Sequence, residues 1–295
     1  MKENKQTAFS VFFTQLHKLL PAGMLFSVLA VIFMTLTIGL SAILAQSTGI
    51  KGFNSIFIWA LGLIPTTICY SGLVKVVRKY AVEKEFVPVF PLYLRTVGDN
   101  IKGFLLLGIF VYLISCCSFY SLLFYFSMLR ANRAFGIALT AYSFFTLMMI
   151  VMLFYLPLLT VTYELRYRDI FKNAVYLAFK KPVKNLLTFL MSAALIGGSV
   201  VGILFSQGAL RIVIIVVAAA VVPLTVTYIA VAMVSKGMQE VVGYFTGENR
   251  LSVKPLSESE KEELIERTSD NTEDDYIFVN GRMIRNPNKK GEESK

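Results

Sequence analysis

The sequence predicts an all-α fold, a polytopic membrane bundle of six spanning helices with amphipathic helices at one surface. Three observations predict it. Residues 134–163, AFGIALTAYSFFTLMMIVMLFYLPLLTVTY, run for 30 positions without Asp, Glu, Lys, Arg or His, enough helix to cross a hydrocarbon core about 30 Å thick. Five further uncharged runs occupy 19–50, 52–74, 103–129, 185–210 and 212–235. The chain is 56% hydrophobic and 16% charged, an apolar excess that lipid as a solvent explains and a soluble domain does not require.

Taken in order, AFSVFFTQLHKLL reads as a short amphipathic helix on the inner surface, with Phe9, Phe12, Phe13 and Leu16 recurring at helical spacing. A turn at Pro21 is expected before span 1 (about 22–46). The run at 19–50 is too long for the 7–15-residue apolar core usual in a cleaved signal. Lys51 marks an outer loop. Span 2 (about 54–75) holds Pro65, which leaves backbone carbonyls short of donors, so a neighbouring helix or a local kink must accommodate it.

The segment VVRKYAVEKEFVPVFPLYLRTVGDNIK reads as an inner loop broken by Pro88 and Pro91. Span 3 lies within 103–129, LRANRA makes a tight outer turn, and span 4 (about 137–162) carries Pro157. DIFKNAVYLAFKK is expected to be an interfacial helix with Ile170, Ala174, Tyr176, Leu177 and Phe179 on its apolar face. A short helix packed on other loops is the alternative. Span 5 (185–210) contains Gly198 and Gly202 at a small-xxx-small spacing that permits close helix approach. Span 6 (212–235) carries Pro223.

The membrane domain therefore covers 1–246. The tail, 247–295, is charged and poor in large apolar groups, so it builds no core and is expected to be largely disordered. Within it YIFVNGRMIR, at 276–285, reads as a β-hairpin about Asn280-Gly281.

Charge placement sets the expected orientation. Residues 1–235 hold 19 basic against 6 acidic residues, whereas 236–295 hold 10 against 13. The basic surplus thus belongs to the membrane domain. It falls on alternate span ends: three, six and six cations in the N-terminus, loop 2–3 and loop 4–5, against Lys51, then Arg130 with Arg133, then Arg211 on the other side. Cations are retained on the cytoplasmic side, which predicts both termini inside at the cell membrane. Arg166, Arg168, Lys180, Lys181 and Lys184 are the expected contacts to anionic inner-leaflet lipid. No basic stripe on a soluble fold points to nucleic acid.

A local pattern recurs in the returning spans: PTTICY at 65–70, PLLTVTY at 157–163 and PLTVTY at 223–228. Pro65, Pro157 and Pro223 are read as structural kinks. The threonine hydroxyls are expected to bond within the adjoining turn, and Tyr70, Tyr163 and Tyr228 to anchor at the inner interface. With the similar segments FFTQLHKLLPAG, YLRTVGDNIKGF and AFKKPVKNLLTF, this suggests three tandem units in one orientation. The kinks either line a cytoplasm-facing vestibule or bend helices around a solid bundle.

At IPTTICYSGLVKVVRK, VFPLYLRTVGDNIKGFLL and YLPLLTVTY with IFKNAVYLAF, the chain resembles the YesL-like family of bacterial integral membrane proteins, a domain of unknown function. The resemblance spans roughly 9–240, and the tail is additional to it. It implies an all-α membrane fold and an association with carbohydrate uptake systems. It carries no activity and no catalytic residue.

The sequence has no HExxH and no glycine-rich phosphate loop, so neither an enzyme nor a cofactor is expected. Cys69, Cys116 and Cys117 lie in apolar runs without zinc spacing and are read as small buried hydrophobes. His17 is the sole histidine and cannot make a multi-histidine metal site. The uncharged runs argue against ion-coupled transport. The favoured expectation is an accessory or scaffold protein that meets a membrane-protein partner through its inner loops and tail. The alternative is a passive path for a neutral or lipid-like solute.

Overall fold

The structure, a computed structural model, describes residues 8–48, 55–85, 87–129, 131–163, 166–246, 276–279 and 282–285. Lys51, Arg130, Glu164, the Asn280-Gly281 turn and the tail segments 247–275 and 286–295 lie outside the described residues, as does the side chain of Phe9.

The fold is an all-α bundle in which six helices are long and apolar enough to cross a membrane. Its elements are α1 (Ala8–Thr48), α2 (Ser55–Ala60), α3 (Leu63–Arg78), a π turn (Lys79–Glu83), α4 (Val89–Asp99), α5 (Ile101–Met128), α6 (Phe135–Thr162), α7 (Tyr167–Lys180), α8 (Pro182–Phe205) and α9 (Gly208–Thr246). Strands β1 (Tyr276–Val279) and β2 (Arg282–Arg285) pair antiparallel, Tyr276 opposite Arg285, the pairing that the alternating pattern predicts. The outward surface is rich in large apolar side chains, among them Ile137, Val183 and Phe205, each more than three-quarters exposed. Such a surface is satisfied by lipid, and the chain is a multi-pass membrane protein.

α3 is the hub, packed against α1, α4, α5, α6 and α9. Every residue from Ser71 to Tyr80 is buried. Bare backbone permits the closest approaches. A Cβ on Gly72 would stand 2.9 Å from the Tyr93 ring, and one on Gly108 would stand 2.9 Å from the Ile64 carbonyl oxygen. Tyr93 donates to the Cys69 carbonyl at 2.8 Å, tying α4 to α3. Burial pushes the Tyr93 phenol well above its ordinary pKa.

Several sequence expectations are corrected. No turn interrupts the chain at Pro21, because α1 runs unbroken from Ala8 to Thr48. Its first turns are held by packing, with Phe12 against the Tyr228 ring at 4.6 Å and Leu19 fully buried, while Phe13 is exposed. Loop 2–3 is mostly helix. Pro88 caps α4 and Pro91 lies in its first turn, positions where a missing N–H costs nothing, so the prolines start a helix instead of breaking one.

α7 forms where predicted but buries Ile170, Asn173, Ala174, Leu177 and Ala178 against the bundle. Tyr176 and Phe179 face outward instead, since they lie off the i, i+3, i+4 stripe that starts at Ile170. Gly198 has no atom within 4 Å of a built Cβ and Gly202 meets only Ile214, at 3.7 Å. The small-xxx-small pair therefore makes no close crossing within the chain. Cys117 is exposed, unlike Cys69 and Cys116, because adjacent helical residues point about 100° apart.

Candidate functional site

The prolines act differently in the three returning spans. Before Pro65 the helix breaks at Leu61 and Gly62. The Leu61 carbonyl, which Pro65 deprives of its i+4 donor, accepts from Ile64 N at 3.1 Å, and the Trp59 carbonyl accepts from Gly62 N at 3.1 Å. A local break with tighter turns thus accommodates the proline. At Pro223 the helix continues. The Ala219 carbonyl it deprives of a donor accepts from Ser27 of α1. α6 likewise continues through Pro157. The threonines beside all three bond back one turn: Thr66 to Gly62, Thr160 to Leu156 and Thr227 to Pro223, at 2.7–2.8 Å.

Of the three tyrosines expected as interface anchors, Tyr228 is buried in the bundle and Tyr70 and Tyr163 are partly buried. Tyr228 is 3% exposed. Tyr70 packs edge-on to Phe26 at 5.6 Å, and Tyr163 is half-buried against the core. Tyr70 follows Thr66 by four residues, Tyr163 follows Thr160 by three, and Tyr228 follows by three Thr225, itself bonded back to Val221 at 2.8 Å; each tyrosine thus lies near the face of a back-bonding threonine, and that face meets other helices. The Tyr70 and Thr227 hydroxyls are 3.1 Å apart. Thr227 has one proton and donates it to Pro223, so Tyr70 supplies the proton between them.

Above this pair lies a cavity of about 670 Å³. Tyr70 and Thr66 of α3, Leu153 and Pro157 of α6, and Phe189 and Ser192 of α8 are among its walls. It is apolar, since Thr66 and Thr67 turn their hydroxyls onto their own helix. It is not sealed off, and α8, one of its walls, leans chiefly on α9 and touches α6 little. Of the three prolines and three tyrosines of the pattern, only Pro157 and Tyr70 line it; the pattern does not converge on a vestibule of three kinks.

About 7.5 Å of helix rise beyond Tyr70, at the basic end of the bundle, α3 carries a buried ion cluster. Lys75, Arg78 and Lys79 are 6%, 5% and 3% exposed. Arg78 donates to Thr162 at 2.8 Å and lies 3.4 Å from Glu83. Lys79 lies 3.7 Å from Glu83 and 2.7 Å from Glu85. The π turn makes this possible. It ends on Lys84 in the left-handed region (φ 56°), whose N–H, like that of Glu85, reaches the Lys79 carbonyl, folding both glutamates back over the cations. Tyr163 borders the cluster; burial raises its pKa and Arg78 partly opposes the rise. The arrangement links α3 to α6 in a low-dielectric setting, where paired charges hold firmly and unpaired ones are costly.

Sequence reasoning passed over this cluster because its cations read as a solvated loop. One signal was present: Lys75, Arg78 and Lys79 stand at i, i+3 and i+4, alternating with Val74 and Val76-Val77, a charged stripe on an otherwise apolar helix. A second missed residue is Asn185. It accepts from Tyr155 at 2.5 Å and donates to the Leu177 and Ala178 carbonyls at 3.1 and 2.8 Å, closing the end of α7 against α6 and α8. Asn100 does the same for α4, donating to Thr96 at 2.8 Å. Both stand at the start of the outgoing span of a repeated unit, Asn100 just before α5 and Asn185 in the first turn of α8.

The predicted lipid-contacting cations Arg166, Arg168, Lys180 and Lys184 are exposed and Lys181 is half-buried. Lys180 sits 5.5 Å from the Tyr176 ring centroid. Among the described residues no group of three or more His, Cys, Asp or Glu is placed to hold a metal.

Comparison with protein-family models, curated proteins and solved structures finds no match to this chain. The YesL-like resemblance therefore rests on the sequence segments that suggested it.

Proposed function

We propose that this multi-pass protein of the cell membrane admits a lipid-like molecule sideways from the bilayer into its bundle, without catalysis. The observation that carries the reading is the open apolar cavity of about 670 Å³ walled by α3, α6 and the loosely packed α8, within the roughly 300–1,000 Å³ usual for small-molecule pockets. The residues that line it include no ionised side chain, which favours an apolar or neutral occupant over an ion-coupled solute. The ion cluster lies further along α3, toward the basic end, and does not line the cavity. The distribution of cations favours that end, and with it both termini, facing the cytoplasm. A YesL-like membership agrees with this architecture and adds no activity to it.

Ala193 lines the cavity, and Ala193→Phe fills it. Protein purified in mild detergent and weighed by native mass spectrometry should retain a lipid-sized adduct that A193F loses several-fold. Equal retention by both proteins, or none by the parent, would refute the reading.

A second reading, an accessory protein holding a membrane-protein partner through the inner loops and tail, is favoured by the outward Tyr176 and Phe179 on α7. Crosslinking in native membranes should then capture a partner, and Tyr176→Ser with Phe179→Ser should release it.

A further inference from the structure

A second apolar recess, of about 320 Å³, lies between α5, α6 and α7. It sits at the basic end, where α5 and α7 begin. Gly103 floors it: a Cβ there would stand 3.1 Å from Thr160 Cγ2 and 3.7 Å from the Tyr167 hydroxyl. Phe110 and Phe171, edge to face at 5.2 Å, are among its walls. Leu107 lines both this recess and the larger cavity.

The rim is cationic. Lys102 adjoins Gly103, and Arg166 and Arg168 flank Tyr167, whose hydroxyl reaches toward Gly103. All three cations are exposed, and none makes an ion pair among the described residues. Asp169, in the first turn of α7, offsets one of them. The N-termini of α5 and α7 meet here as well, adding partial positive charge. An apolar slot with a cationic rim at the membrane surface matches one chemistry, an acyl chain joined to an anionic headgroup.

We propose that this recess binds an anionic phospholipid of the adjoining leaflet, one acyl chain lying along Gly103 and Phe171 and the phosphate held by Lys102, Arg166 and Arg168. The site is separate from the larger cavity, and its test does not depend on that cavity being filled.

Trp59 is the sole tryptophan, so Trp59→Phe with Phe171→Trp places one reporter in the recess. The protein is reconstituted in phosphatidylcholine and titrated with phosphatidylglycerol or phosphatidylcholine brominated on the acyl chain. Brominated phosphatidylglycerol should quench at about five-fold lower mole fraction or less, the factor expected from one basic residue at a membrane surface. Lys102→Gln, Arg166→Gln and Arg168→Gln together should abolish that preference. Lys180→Gln, Lys181→Gln and Lys184→Gln, removing equal charge from the other end of α7, should leave it. Equal quenching by both lipids in the parent overturns the site. So does an equal loss of preference in the two triple variants, which would mean diffuse surface charge only.

Discussion

Replacing Glu83 by Ala removes the carboxylate that lies 3.4 Å from Arg78 and 3.7 Å from Lys79. Each attraction amounts to about 5 kcal/mol before desolvation at an effective dielectric near 20. The glutamate side chain is 7% exposed and the cations 6% and 4%, so water does not take its place. Breaking a buried pair by removing one partner typically costs about 3–5 kcal/mol. Arg78 keeps Thr162 and Lys79 keeps Glu85, which places this loss near the lower end, about 3 kcal/mol. Arg78→Met with Glu83→Leu removes the pair together and should cost less than Glu83→Ala alone. Unfolding free energies in mixed micelles, followed by helical circular dichroism, measure both. A loss below about 1 kcal/mol for Glu83→Ala, the size of an exposed pair, would refute the buried-cluster argument, and so would additivity of the two single substitutions.

Other perturbations follow from the same contacts. Ser27→Ala leaves the Ala219 carbonyl without its donor and should cost about 1 kcal/mol in the same unfolding measurement; in a Pro223→Ala background the restored N–H at 223 should erase that cost. Gly108→Ala drives a Cβ to 2.9 Å from the Ile64 carbonyl oxygen and should lose about 1–3 kcal/mol, whereas Gly198→Ala, with open space around it, should lose nothing. Asn185→Ala removes three hydrogen bonds and should expose a cysteine placed at Leu177 to water-soluble thiol reagents, while Asn100→Ala, which removes the bond to the Thr96 carbonyl, should be milder in unfolding free energy, at about 1 kcal/mol.

The architecture was legible in the sequence because hydropathy is a sum over neighbours along the chain. A run of 30 uncharged residues has few alternatives to a span, and hairpin alternation at 276–285 likewise pairs strands locally. The threonine back-bonds were legible for the same reason, since each partner lies one turn away. What a side chain faces was less legible. Tyr228 and Phe179 are both aromatics near the basic end, yet packing against Phe12 buries one while the other points outward.

The chain by itself determined that six helices are apolar enough to leave water, roughly where each lies, and that their ends are unequally charged; these properties follow from local composition and from helix geometry. Only the tertiary structure decided that α3 is the hub, that Lys75 is buried and Arg78 and Lys79 are enclosed with Glu83 and Glu85, and that cavities open beside α8 and α7. Those outcomes depend on which helix lies against which, through contacts such as Gly72 to Tyr93, Arg78 to Thr162 and Ser27 to Ala219. Residues that meet across 21, 84 and 192 positions leave no mark in the hydropathy of either segment.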